Sequence, residues 1–198
     1  MANGQVVTGY SKPVVAKYNY DELTGVVTYT NCQSLARGVD VNIDPSTSDA
    51  SVFYADNVKA EETGKKFTGG DIKVTVDGLL RKAERFIQGL PEADGEGWLA
   101  YNNEMEAPAL GFGFIMRVMS GGVTSYIPVV MAKTTFAPIS TAAATQGEEI
   151  DWQTQELNAT IMRDDTEEQN WKFVGDGQAT EAAAFTKLCN KLGGLVSA

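Results

Sequence analysis

The sequence predicts a mainly β fold with flanking helices (α+β), built as an antiparallel β-sandwich or barrel. Three features carry that expectation. Residues 110–119 and 123–136 are runs rich in aromatic and β-branched residues, joined by Ser120-Gly121-Gly122, whose glycines can take positive φ; this is the strongest hairpin signature in the chain. Other stretches alternate apolar and polar residues with the two-residue period of a half-buried strand. Only two stretches show helical spacing, and each ends in glycine.

Taken in order, Val14, Ala16, Tyr18 and Tyr20 alternate with Val15, Lys17 and Asn19, and a second run begins at Gly25, giving a first hairpin with that glycine in its turn. Val39, Val41 and Ile43 alternate with Asp40, Asn42 and Asp44, a strand that Pro45 is expected to end. Residues 46–70 read as a long polar loop, and such loops inside compact domains tend to be functional. Phe53, Tyr54 and Phe67 are large apolar groups within it, so it is expected to pack on its own domain or on a partner. Ile72, Val74 and Val76 mark another strand, and residues 79–89 a helix with Gly89 as C-cap. After the acidic loop that follows Pro91, Trp98 is expected to open an edge strand.

The central hairpin is apolar on both sides. Phe112, Phe114, Met116 and Val118 share one face; Gly111, Gly113, Ile115, Arg117 and Met119 share the other. A strand of that kind is covered on both faces, by a second sheet, a helix or another subunit. A third strand runs from Ile150 to Met162, with a change of parity between Trp152 and Leu157 that a β-bulge would produce. Asp164-Asp165-Thr166-Glu167-Glu168 is an acidic turn, and residues 171–174 a short strand. A second helix follows, with Thr180 as N-cap, a stripe of Phe185, Leu188, Cys189 and Leu192, and Gly193 as C-cap.

Length and composition narrow the function classes. The 198 residues suit one domain, with 178–198 as a C-terminal helix and tail. No run approaches the roughly 20 apolar residues of a membrane helix, so a soluble protein is expected. The N-terminal Met-Ala-Asn-Gly-Gln lacks the basic-then-apolar profile of a signal peptide, which points to synthesis in a cytoplasm. Two cysteines, Cys32 and Cys189, are too few for a disulfide framework or a metal cluster. Histidine is absent, removing the commonest general base, the triads that depend on it and the usual zinc ligand sets; no enzymatic activity and no cofactor are expected. Asp40, Asn42 and Asp44 have a calcium-loop spacing but lack its glycine and its closing glutamate. Glu148 and Glu149 read as a hydrated acidic loop, and Trp98, Tyr126, Trp152 and Trp171 could line a sugar platform, although core packing is the simpler use of Trp152.

The charge is segregated. Residues 1–91 carry 10 basic and 11 acidic side chains, whereas residues 92–181 carry 4 and 15. Lys59, Lys65, Lys66, Lys73, Arg81, Lys82 and Arg85 all fall in the near-neutral half. This asymmetry suits head-to-tail packing of identical copies, and the net charge of −10 disfavours binding to nucleic-acid phosphates.

The run from Asp49 through Phe53-Tyr54-Ala55-Asp56-Asn57 to Glu62, followed by Gly69-Gly70-Asp-Ile-Lys-Val-Thr-Val-Asp-Gly-Leu79, resembles the major tail proteins of long-tailed phages, in particular the phi13-type family. The opening Met-Ala-Asn-Gly, the Leu110-Gly-Phe-Gly-Phe114 segment and the stretch from Ile127 to Phe136 extend the resemblance over nearly the whole chain. It implies a tail-tube subunit of the virion, assembled in the host bacterial cytoplasm into stacked, hexameric rings. It also implies tape-measure, tail-terminator and baseplate partners, and a lumen through which DNA passes without specific binding. Residues 46–70 would then be an inter-subunit loop, with Phe53, Tyr54, Asp56, Asn57, Lys65, Lys66 and Phe67 at the contact. Two rivals stand beside it: the tube of a contractile injection particle, and a monomeric β-sandwich that binds carbohydrate.

Overall fold

The computed structural model describes residues 4–103, 105–141, 145 and 153–195. Among these residues ten strands and two helices follow one another: β1 (Val6–Asp21), β2 (Val26–Ser34), β3 (Gly38–Thr47), β4 (Val52–Ala55), β5 (Val58–Glu62), β6 (Phe67–Val76), α1 (Arg81–Gln88), β7 (Leu110–Ser120), β8 (Val123–Phe136), β9 (Gln155–Met162), β10 (Lys172–Val174) and α2 (Glu181–Lys191). The chain is mainly antiparallel β with two short helices. One sheet runs β2-β1-β7-β8-β9-β6-β3, with β10 against β8; β4 and β5 form a separate two-stranded sheet.

The long sheet coils on itself. Phe112, Phe114 and Met131 from one half share a buried cluster with Ile72, Val74 and Leu157 from the other, which requires the two halves to face each other. Bulges help to bend it: β1 shifts register against β7 between Val7 and Gly9 and again between Ser11 and Val14, where Lys12 takes φ 54°. Ala83 and Ile87 of α1 join the same cluster. On the opposite face of β1, β7 and β8, a second cluster joins Val14, Ala16, Ile115 and Val130 to Ala184 and Leu188 of α2 and to Leu192 at its C-cap.

The two-sided cover expected of the central hairpin is therefore present, and the glycines explain how the helix gets so close. A Cβ on Gly113 would meet Leu188 at 2.7 Å, and one on Gly111 would meet the Tyr29 ring at 2.5 Å. The helix itself is capped at Thr180, whose hydroxyl accepts from the Ala183 amide at 3.2 Å. Its last residue before the exit is Leu192; Gly193 follows at φ 82°, packed so tightly against Tyr29 that a Cβ there would collide with the carbonyl oxygen.

Three expectations change. Pro45 does not end β3 but lies within it, opposite Gly70; β3 is an edge strand, so the missing N–H of proline costs no ladder bond on its open side. Trp98 opens no strand: it is 69% exposed in a loop shaped by the Asp94 carboxylate, which accepts from the amides of Glu96 and Trp98. Residues 46–70 are not a loop, since most of them form strands. Ile150, Trp152 and the Glu148-Glu149 pair lie outside the described residues, as does the expected bulge; within β9 the register against β6 is unbroken.

Candidate functional site

Beyond Thr47 and Phe67 the β3–β6 ladder opens into an arm that carries the β4–β5 hairpin. Its base is tied by Ser48 and Lys66, whose backbone amide and carbonyl bond at 2.8 Å, and by Ser51 and Thr63, which bond twice near 2.9 Å. At the tip, Tyr54 pairs with Lys59 and Ala55 with Val58, leaving Asp56-Asn57 as a two-residue turn. Both turn residues have positive φ, 50° and 62°, the requirement of a type I′ hairpin, and Asp and Asn tolerate that region better than most side chains. This is why the segment folds as strands rather than as a loop: the β-prone run Val52–Ala55, the partly alternating Val58–Glu62 and the turn chemistry between them agree over eleven residues.

Between residues 48 and 66 the side chains of Phe53, Ala55 and Lys59 lie outside the described ones, and none of the others joins either apolar cluster. Tyr54 is 64% and Val58 66% exposed. A two-stranded hairpin alone in water is marginal at best, and this one leaves Tyr54 and Val58 largely open to solvent.

The residues expected at a contact divide in two. Phe53, Tyr54, Asp56 and Asn57 fall together on the distal hairpin, whereas Lys65 and Lys66 sit exposed at its base. Phe67 belongs to the body instead. Its ring stacks on Trp171, 4.4 Å between centroids and 8° from parallel, and its carbonyl accepts from the Arg163 guanidinium. The sequence showed a large apolar residue in a polar stretch but not that its partner lay 104 positions away.

The basic residues of the first half do not form one patch either. Lys73 pairs with Glu156 at 2.8 Å, and Arg81 donates to the Gly97 carbonyl at 2.8 Å; Lys82 and Arg85 face a cleft beside α1. On the acidic side, Asp165 takes a hydrogen bond from Lys133 at 2.6 Å and one from the Tyr18 hydroxyl at 2.9 Å. The Lys133 bond is the main cause holding the Asp165 carboxyl below its ordinary value, while burial pushes the Tyr18 hydroxyl up to about 12. Cys32 is buried against α2, which carries the buried Cys189, and burial pushes the Cys32 thiol up to about 12.

Among the described residues no three His, Cys, Asp or Glu side chains are placed to hold a metal ion, and no helix is long and apolar enough to cross a membrane. No known family model matches the sequence, and no curated protein matches it.

Proposed function

We propose that this chain is the subunit of a tail tube, polymerising into stacked rings of six through which DNA passes. The observation that carries the reading is the arm: a β-hairpin beyond the β3–β6 ladder, with Tyr54 and Val58 open to solvent at its tip. An isolated binding module has no use for such an extension, whereas a subunit that must reach a neighbour has one. The edges of the coiled sheet support the same reading, because β3 ends the sheet on one side and β2, bridged there only at Cys32 to Leu195 among the described residues, ends it on the other, where further strands can add. In this account the β4–β5 hairpin contacts the adjacent ring, and the acidic stretch 92–181 of the chain keeps DNA from adhering as it passes.

Negative-stain microscopy of concentrated protein tests it. The chain should form rings or hollow tubes, and a variant in which residues 51–63 are replaced by a short Gly-Ser turn should fold but fail to stack. Wild-type protein that stays single at every concentration, or tubes that form equally well without the hairpin, would contradict it.

A further inference from the structure

A cleft of about 460 Å³ opens between α1 and the β1–β2 hairpin. Lys17, Lys82 and Arg85 line it with the amides of Asn31 and Gln33, and no carboxylate side chain contributes to its wall. In a chain of net charge −10 this is a local concentration of positive charge. The wall is shaped in advance: β1 and β2 slip register between Val15 and Lys17, and Asn31 sits in the slip at φ 55°, the two-against-one arrangement of a β-bulge. Arg85 reaches Glu92 at the rim, 3.2 Å away, but that carboxylate is 87% exposed, and a pair of this kind holds little.

The acidic turn is also shaped in advance. Asp164, 5% exposed, accepts at one carboxylate oxygen from the Asn170 amide at 2.9 Å and the Thr166 hydroxyl at 2.7 Å, while its own amide donates to the Asn170 carbonyl. These bonds close the loop and leave Glu167 and Glu168 exposed on its crest. Cleft and turn lie on opposite faces of one strand. Lys17 points to the α1 side, into the cleft; its neighbour Tyr18 points to the α2 side, where its hydroxyl bonds Asp165.

We infer that the acidic turn of one copy docks in the basic cleft of the next, which rests on the tube reading and names its lateral contact. Back-to-back placement prevents a chain from filling its own cleft. Two complementary surfaces on opposite faces repeat without self-pairing, the arrangement that gives rings or filaments. Opposite charge at the two surfaces steers the encounter and fixes its register.

Charge reversal separates the possibilities. The test uses the full chain in two variants, Lys82→Glu with Arg85→Glu, and Glu167→Lys with Glu168→Lys, with circular dichroism checking that each folds. Sedimentation velocity should show that either variant alone needs at least about tenfold more protein to associate than the wild type. Mixed one to one, the two should co-assemble, because each then meets the opposite charge on its neighbour. Wild-type rings whose formation neither reversal disturbs, or variants whose mixture associates no better than each alone, overturn the docking and leave the tube reading standing. Charge-dependent oligomers that never stack into tubes overturn the tube reading and leave the docking. A wild-type chain that remains single at every concentration overturns both.

Discussion

The strands β7 and β8 and the β4–β5 hairpin are built by the same rules and end in opposite circumstances. Both are antiparallel hairpins with a two-residue turn, and both carry aromatic and β-branched side chains. Along 110–115 and 128–132 the first is covered on one face by the coiled sheet and α1 and on the other by α2, although Met119 and Val123 at its tip are exposed. The second has apolar side chains at its tip that no described residue covers. The difference shows that strand formation is local, set by alternation and turn residues, whereas what the strand is for depends on which of its faces the same chain closes.

Substitutions at matched positions break or sharpen this contrast. Phe112 of β7 is fully buried in the larger apolar cluster, beside Phe114 and Phe136, so Phe112→Ala should lower unfolding stability by about 3–5 kcal/mol in denaturant titrations. Gly113→Val forces methyl groups into Leu188 and Leu192 and should cost about 1–3 kcal/mol, with α2 released from the sheet as its amides begin to exchange faster. The tie between Asp165 and Lys133 gives a smaller, pH-dependent effect. Because the carboxyl lies below its ordinary 3.8 in the folded chain, its stabilisation is complete above that pH and is lost as pH falls through the folded value. Stability measured from pH 5 downward should therefore fall less steeply in Lys133→Met than in the wild type. Tyr54→Ala, at the tip of the arm, should change the stability of the unassembled chain by no more than about 0.5 kcal/mol. An effect as large as that of Phe112→Ala would mean that the arm is part of the core.

Much of this contrast could be read from the residues before any coordinates. The two-sided apolar pattern of residues 110–119 demanded two covers, and the stripe of Leu188, Cys189 and Leu192 supplied one of them. Pro45 misled because proline ends a central strand but not an edge strand, and edge position is a property of topology. The arm reads as a loop in the sequence because Asp56-Asn57 is a weaker turn signal than Asn-Gly, although both its residues take the positive φ that such a turn needs. The basic cleft was invisible for a different reason: Lys17, Gln33 and Lys82 come from three separate elements, and nothing in their local sequence announces that they meet.

The central claim is that the arm finds its cover on another copy of the chain. Hydrogen exchange followed as a function of protein concentration tests it most directly. In dilute protein the β4–β5 amides should exchange rapidly while those of β7 stay protected; in concentrated, assembled protein the β4–β5 amides should become protected as well. Arm amides that exchange at one rate from the most dilute to the most concentrated sample would contradict the account.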